Sequence, residues 1–339
     1  MCQGLFDELP LVTSEAELKL LLTKNTPLDP DFIRCGCCPT NRSHFEALWL
    51  PFKQFADTNF CQQLGSPGQF HHRSWEMLCC NILLDKGLNL LEGSQLTPPI
   101  PRNEGPDFIV DTGPYVECVS STRGASTNRD QLGEPLVSTL DAPQFIQISG
   151  DTSHYARLSE LGIEPPNTQI DENIETRLLL RITQSIKEKS DNYLNKWALK
   201  SWFDPNTPFV IAMNTCQLRY PDNPGMPYVL KALFGTGDMY LNFAPSSGAK
   251  EYCWEYRNAI QRNSGATIPV NLFMSSCLEH VSAIIFLHDT VLDYLIFGDR
   301  ECIIVNNPFA TNPLSDDFLS RFRGWKSRRE GNSIFLTKT

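Results

Sequence analysis

Apolar side chains recur at helical spacing along two long parts of the chain. Most of residues 13–65 carries this pattern, and Ser14 stands where an N-cap residue would begin the first helix. Residues 171–199 carry the longest such pattern, with acidic residues at its start and lysines in its second half, which suits the helix dipole. We therefore predict a mostly helical N-terminal region and one long helix over 171–199.

A shorter helix is predicted over residues 74–84. Ser74 can cap its start, and Gly87 follows its end, where glycine commonly stops a helix. The residues that follow the three- and four-residue spacing of a buried face are Trp75, Leu78, Cys79 and Ile82.

After Gly87 the pattern changes to short apolar runs of the kind that form strands. Asp107–Val110 and Tyr115–Val119 are two such runs, and the Asp-Thr-Gly-Pro sequence between them is typical of a turn, so we predict a β-hairpin. Residues 120–168 contain Gly, Ser and Pro and predict a long loop or an insertion. Further apolar runs are Leu88–Leu91, Pro208–Met213, Ala283–Leu287, Cys302–Val305 and Ile334–Thr337. The order of these elements predicts an α/β fold with a mixed central sheet.

Composition narrows the classes of function. The 339 residues are 41% hydrophobic and 20% charged, which is enough to bury a core, and the formal net charge is -10 at pH 7. This acidity excludes a uniformly basic nucleic-acid binder but allows a local phosphate-binding surface. No apolar run is long enough to span a membrane, and the first residues are acidic where a secretion signal would be basic. The 12 cysteines are therefore expected to be reduced thiols of a cytoplasmic protein. A protein that is exported into the cytosol of a host cell would show the same pattern.

Two carboxylates stand out in the predicted hairpin. Asp107 begins its first strand, and Glu117 lies in the middle of its second strand, among apolar residues where an unpaired carboxylate would be costly. Acids on neighbouring strands can face each other at the open end of a hairpin. Two carboxylates suit Mg²⁺, which also takes waters and substrate phosphate oxygens. The alternative is that both acids lie at strand ends in salt bridges.

This pattern resembles the PD-(D/E)xK motif of the restriction-endonuclease-like superfamily. Pro106-Asp107 provides the first acid and Glu117 the second, while Glu76 on the preceding helix matches an additional acid that many of these proteins carry. The lysine of the motif normally stands two residues after the second acid, and Val119 occupies that place in this chain. Some members of the superfamily carry the lysine on the following core helix instead.

The predicted helix over 171–199 offers such a lysine. Lys189 lies within its apolar stripe, whereas Lys187 lies off the stripe and Arg181 flanks it as a candidate substrate-binding residue. The stripe consists of Ile174, Leu178, Ile182, Ile186, Tyr193 and Trp197. If the helix packs beside the hairpin, the amine of Lys189 reaches the space above Val119. Alternatively, the stem of Lys189 is buried and its amine snorkels to solvent.

The resemblance extends over roughly residues 70–310, to a narrower group of largely uncharacterised bacterial proteins. The segments that carry it are Trp75-Glu76, Gly105-Pro-Asp-Phe, Val116-Glu-Cys-Val, Arg181–Lys189, Val281–Ile285 and Asn306–Leu314. It implies a restriction-endonuclease-like core over 70–215, in which helices flank a mixed central sheet. A helical extension over 1–69 would precede this core, and an α/β elaboration over 216–339 would follow it and pack on it.

The resemblance also implies a chemistry. Asp107, Glu117 and the carbonyl of Cys118 would hold Mg²⁺ or Mn²⁺. Lys189 would hold the attacking water or the phosphorus centre electrostatically, and Glu76 would bind a second ion or orient waters. The expected function is that of a magnesium-dependent nuclease that hydrolyses phosphodiester bonds, with its lysine displaced to the core helix.

Two other classes of function stay open. The first is a catalytically inactive member of the same fold that binds protein or nucleic acid, which Val119 and the net acidity of the chain favour. The second is a hydrolase of another kind that uses a cleft between the core and the C-terminal part. A cysteine nucleophile would need a histidine partner in space, and nothing in the local sequence supplies one.

Two smaller features carry further alternatives. The segment Arg321–Arg329 has five basic residues in nine, which suits either a nucleic-acid backbone or a solvated edge of the protein. A cysteine cluster with nearby histidines offers a zinc site, although its spacing matches no finger pattern. Its candidate ligands are Cys35, Cys37 and Cys38 with His44, or with His71 and His72.

Overall fold

The chain forms two compact units. The first unit comprises residues 1–120, 188–217 and 279–339, and the second comprises 121–187 and 218–278. The computed structural model describes residues 4–24, 27–96, 98–100, 104–122, 172–218, 227–244, 249–261, 267–274, 276–297, 302–331 and 333–339. Of the predicted loop over 120–168, residues 123–168 lie outside this described part of the chain.

The described residues form both α-helices and β-strands, which are interleaved along the chain. The α-helices are α1 (Glu15–Thr23), α2 (Pro30–Cys37), α3 (Pro39–Phe52), α4 (Phe60–Leu64), α5 (Phe70–Asp85), α6 (Glu172–Asn192), α7 (Tyr228–Phe234), α8 (Val291–Phe297) and α9 (Asp316–Ser320). The strands are β1 (Leu90–Leu91), β2 (Phe108–Val110), β3 (Tyr115–Ser120), β4 (Phe209–Asn214), β5 (Thr236–Ala244), β6 (Ala249–Tyr256), β7 (Ala259–Gln261), β8 (Thr267–Pro269), β9 (Ala283–Leu287), β10 (Ile303–Asn306), β11 (Arg323–Glu330) and β12 (Ser333–Lys338).

An eight-stranded mixed sheet forms the centre of the first unit, in the order β1-β2-β3-β4-β9-β10-β11-β12. Strands β1, β2 and β3 are antiparallel, whereas β3, β4 and β9 run parallel. Beyond β9, the pair with β10 is antiparallel, β10 and β11 are parallel, and β12 returns antiparallel to β11. The predicted α/β class with a large mixed sheet is therefore confirmed. The second unit contains the antiparallel pairs β5–β6 and β7–β8.

The predicted hairpin is formed by β2 and β3. Its turn is closed by hydrogen bonds from Val110 N–H to the Pro114 carbonyl and from Gly113 N–H to the Val110 carbonyl. Thr112 adopts a positive φ of 53°, which a tight reversal of the chain requires. The turn fixes the register of the two strands and, with it, which residues face each other at the open end.

The predicted helix over 74–84 forms but starts earlier than predicted. Helix α5 begins at Phe70, and Ser74 is an interior residue rather than the cap, with its hydroxyl bonded to the His71 carbonyl. Because Phe70 is buried in the core, packing extends the helix by a turn beyond the position that the sequence marks. Gly87, at φ +71°, follows the end of the helix as predicted. The predicted buried face is confirmed, since Trp75, Leu78, Cys79 and Ile82 are all buried.

The long helix is also confirmed, with a change of geometry near its end. Helix α6 ends at Asn192, and the chain continues as one π-helical segment over Tyr193–Trp197. Lys187 is exposed, as its place off the stripe predicts. The stripe residues whose side chains are described are all buried: Leu178, Ile182, Ile186, Tyr193 and Trp197.

Helix α5 and the chain that ends α6 cover opposite faces of the sheet in the first unit. The indole N–H of Trp75 on α5 donates to the Ala212 carbonyl of β4 over 2.9 Å, which fixes α5 above that strand. The ring of Tyr193 stacks on Phe209, which lies an odd number of positions from Ala212, with 4.5 Å between the ring centroids. The side chain of Ala212 packs in one hydrophobic cluster with those of α5, and neighbouring strand residues alternate between the faces. Phe209 and the end of α6 therefore lie on the face opposite α5.

The N-terminal region is helical as predicted, with α1 to α4 before the sheet. Strands β9 to β12, which the sequence assigned to the C-terminal elaboration, extend the same sheet as β1 to β4. The predicted boundaries at 69/70 and 215/216 stay predictions. No helix in the described part of the chain is long and apolar enough to cross a membrane.

Candidate active site

Asp107 and Glu117 meet at the open end of the hairpin. The pairing of Phe108 with Val116 continues by one residue to place Asp107 opposite Glu117. A carboxylate oxygen of Asp107, Oδ2, accepts the N–H of Cys118 over 2.6 Å, and the Glu117 carboxylate accepts the N–H of Asp107. Each acid is therefore held by the backbone of the neighbouring strand.

Lys189 reaches this pair from α6. Its Nζ donates to Oε1 of Glu117 over 2.7 Å, and the side chains of the two residues are only 15% and 11% exposed. The amine thus points to the hairpin rather than to bulk solvent, so the snorkelling alternative is wrong. A lysine on a buried stripe needs a partner, and the mid-strand acid supplies it.

Glu76 lies nearby on α5 but is held by Arg73 and His72 of its own helix. Both of its carboxylate oxygens accept from Nη1 of Arg73, at 2.9 and 2.8 Å, and Oε1 lies 3.2 Å from Nε2 of His72. Glu76 is almost fully buried. Its oxygens are largely committed to these neighbours, in contrast to those of Asp107.

The acids carry more negative charge than their surroundings favour. Burial and the nearby charge of Asp107 raise the pKa of Glu117 and of Glu76, although Lys189 and Arg73 oppose this. Burial also raises the pKa of Asp107. Burial lowers the pKa of Lys189, but the carboxylates of Glu117 and Asp107 outweigh it and raise that pKa overall, so the amine stays protonated.

His72 contributes no positive charge near neutral pH. Burial, with the charges of Lys189 and Arg73, lowers its pKa to about 3. Its 3.2 Å contact with Glu76 is therefore not an ion pair near neutral pH.

A pocket with a volume of about 80 Å³ opens beside Asp107 and Glu76. Asp57 and Glu92 line it with two further carboxylates. Its apolar wall includes Phe52, Phe55, Leu91, Ile100 and Phe108. Of the acid pair, Asp107 therefore borders this pocket.

The donor set fits a hard divalent cation better than a soft one. In the described ranges, no group of three or more His, Cys, Asp or Glu side chains is arranged to hold a metal ion. Mg²⁺ needs only one or two protein carboxylates, because waters and substrate oxygens complete its shell. Asp107 and Glu117 supply these two. Burial raises the pKa of both acids, and the charge of Asp107 further raises that of Glu117, so a bound cation would stabilise their ionised forms.

The other predicted residues have separate surroundings. Arg181 is buried on α6 and belongs to the second unit, and its role in substrate binding stays a prediction. Arg321 pairs with Asp317 over 2.9 Å, and Arg328 pairs with Glu330 over 2.7 Å on β11. The role of this basic segment also stays a prediction.

The structure does not bring the candidate zinc ligands together. His71 pairs with Asp31, and His72 pairs with Glu76. Burial raises the pKa of Cys35 to about 12, which disfavours the thiolate that zinc requires. Among the described residues, the zinc alternative therefore finds no support.

Sequence reasoning missed Arg73 and His72 as partners of Glu76. The signal was present, since both precede Glu76 by three or four residues, which is the spacing of neighbours on one helix face. The start of α5 had been placed at Ser74, and this left both residues outside the predicted helix.

No family model, curated protein or solved structure matches the chain.

Proposed function

We propose that this protein is a magnesium-dependent nuclease or related phosphodiesterase, with a restriction-endonuclease-like core in which Lys189 replaces the lysine missing at Val119. The observation that carries the proposal is the 2.7 Å hydrogen bond from Lys189 to Glu117, with Asp107 opposite on the next strand. Two acids and one amine thereby meet across three separate elements, as the displaced-lysine arrangement requires.

Asp107, Glu117 and the Cys118 carbonyl are the groups that would hold the cation. When bound in such a site, a divalent cation lowers the pKa of a water and neutralises charge that grows on the phosphate. The pocket gives a substrate phosphate access to Asp107.

Lys189 acts as a fixed positive charge rather than as a base. Its pKa is raised by the two neighbouring carboxylates, so it has no lone pair with which to take a proton. A protonated amine can donate hydrogen bonds to the attacking water or to a phosphate oxygen as negative charge develops there. Arg73 holds Glu76 in place at the wall of the pocket, where the acid can orient water.

A second candidate function is a catalytically inactive fold that binds protein or nucleic acid. The observation in its favour is the internal neutralisation of Glu76, both of whose oxygens bond to Arg73. Under this hypothesis the ion pairs stabilise the core and bind no metal.

Cleavage of plasmid DNA and of RNA, with Mg²⁺ or Mn²⁺, tests the proposal. We expect activity in the wild type and a loss of about 100-fold or more in Asp107→Ala and Glu117→Ala. The matched control is Asp111→Ala, which removes an exposed acid from the turn of the same hairpin and should leave activity unchanged. Equal activity in the wild type and both site variants would end the nuclease proposal, and cation binding without any cleavage would favour the inactive fold.

A further inference from the structure

A cysteine, a histidine and an aspartate from distant parts of the sequence meet in the first unit. Cys216 follows β4, His71 lies in the first turn of α5, and Asp31 lies in the first turn of α2. Sγ of Cys216 is 3.8 Å from Nδ1 of His71, and Nε2 of His71 is 3.0 Å from Oδ2 of Asp31. The three side chains thus form one continuous line of hydrogen bonds.

Both ends of this line are held in place. Oδ1 of Asp31 accepts from Arg34 over 2.6 Å, and the N–H of Asp31 donates to the N-cap residue Asp29 over 2.8 Å. At the other end, the N–H of Cys216 donates to Oδ1 of Asn214, the last residue of β4, over 2.9 Å. A capped helix and a strand end therefore set the distance between the carboxylate and the thiol.

The aspartate sets the direction of the hydrogen bonds. The hydrogen bond to His71, followed by the one to Arg34, overcomes partial burial and lowers the pKa of Asp31 to about 2, so it is an ionised acceptor at neutral pH. An ionised carboxylate has no proton to give, so Nε2 of His71 must donate to it. In the neutral ring this leaves Nδ1 as an acceptor, and Nδ1 is the nitrogen that faces the thiol of Cys216.

We propose that Cys216 is a nucleophilic thiol that forms a covalent bond with a carbon electrophile, with His71 as its base and Asp31 as the residue that positions the histidine. As the S–C bond forms, the thiol proton moves to Nδ1 of His71, and the leaving group departs with its bonding electrons. Cys216 is only 8% exposed, and the cluster reaches the surface through the side chains of His71 and Asp31, which are 23% and 28% exposed. This proposal does not depend on the nuclease proposal.

Other cysteines of the first unit lie in surroundings that suppress such reactivity. Burial raises the pKa values of Cys35, Cys80 and Cys302, because an apolar environment disfavours the thiolate. Cys216 differs from them in its contact with an imidazole that is oriented by an ionised carboxylate.

Alkylation by iodoacetamide, read site by site with mass spectrometry at neutral pH, tests the proposal. In this reaction the sulfur–carbon bond forms and iodide leaves. We expect Cys216 to react about tenfold faster than Cys277, an exposed cysteine that serves as an internal reference. His71→Gln should slow Cys216 by about tenfold without changing Cys277, and Asp31→Asn should cause a smaller loss.

The matched control is His288→Gln. His288 bonds to Thr215, the immediate neighbour of Cys216, over 2.8 Å, and its loss should leave the rate at Cys216 unchanged. If His71→Gln disturbs the fold, the wild type alone still tests the proposal. Cys216 must then be alkylated faster in the native wild type than in the wild type unfolded by urea. The proposal is overturned if Cys216 reacts no faster than Cys277 in the native wild type, or if a folded His71→Gln variant reacts at the wild-type rate.

Discussion

Among the described residues, each unit of the protein contains a buried lysine–glutamate pair, and the two pairs have nearly the same geometry. In the first unit, Lys189 bonds to Glu117 over 2.7 Å, and in the second unit Lys231 bonds to Glu175 over 2.9 Å. The side chains of all four residues are at most 15% exposed. Distance and burial therefore do not separate a candidate functional pair from a structural one.

The surroundings of the two pairs do separate them. Beside Glu117 lies a second acid, Asp107, whose charge contributes to the raised pKa of Glu117. Beside Glu175 lies a second cation, with Nη1 of Arg257 at 3.5 Å. The first pair has negative charge left over for a divalent cation, whereas the second is balanced by cations of the protein itself. The surplus of like charge, rather than the ion pair, marks the candidate site.

The largest expected effect comes from breaking the structural pair of Lys231 and Glu175. Glu175→Ala leaves the charges of Lys231 and Arg257 without the acid between them, and we expect a loss of about 3–5 kcal/mol in the free energy of unfolding. Glu117→Ala should cost no more than about 1 kcal/mol without metal, because Asp107 still faces Lys189. Denaturant unfolding of the two variants under the same conditions measures the difference. Equal losses would mean that the two pairs play the same structural role.

The next prediction separates the lysines by activity. Lys189→Met removes the fixed charge at the phosphate site, and we expect a loss of about 100- to 1000-fold in the rate of phosphodiester cleavage. Lys187→Met, two residues earlier and exposed, is the control and should keep the wild-type rate. A wild-type rate in Lys189→Met would exclude this lysine from the chemistry.

A third prediction concerns the surplus acid in the metal-free protein. The pKa of Asp107 is raised in the folded state, so the folded state binds that proton more tightly than the unfolded chain does. The corresponding stability is present below the ordinary aspartate pKa and is lost as the pH rises through the raised pKa. Asp107→Asn should therefore raise the free energy of unfolding at neutral pH by on the order of 1 kcal/mol.

Thermal unfolding across this pH range checks the prediction, with and without Mg²⁺. The difference between Asp107→Asn and the wild type should shrink toward acid pH, where the wild-type carboxylate is neutral as well. Added Mg²⁺ should raise the melting temperature of the wild type more than that of the variant, because the variant lacks one of the two carboxylates. A variant that is less stable than the wild type at neutral pH would contradict the argument.

The sequence was sufficient for the features that depend on local pattern. The hairpin and the stripe of α6, with Lys189 on that stripe, follow from periods of two and 3.6 residues and from turn chemistry. Whether the amine of Lys189 points inward or to solvent stayed open until the contact with Glu117 was seen. The sequence was not sufficient for contacts across the fold. The link from His71 to Cys216 joins residues 145 positions apart, and neither residue carries a local signal. The start of α5 was also misplaced, because the burial of Phe70 rather than a capping side chain determines it.

The smallest expected effect comes from placing a lysine at position 119, where the PD-(D/E)xK motif carries it, in a variant that lacks Lys189. Val119 lies two residues after Glu117 on β3, so the two side chains share a face, with α-carbons about 7 Å apart. A lysine there would project from the same face of β3 as Glu117, the acid that Lys189 reaches from α6. We therefore expect Val119→Lys to restore cleavage in the Lys189→Met background by about tenfold, less than the full loss because Val119 is buried and the new stem must find room. Val119→Met in the same background has similar length without the charge and should restore nothing. If Val119→Lys restores cleavage and Val119→Met does not, the site needs a positive charge here, whichever element supplies it. If Val119→Lys folds normally and restores nothing, the backbone of α6 is required as well as the charge.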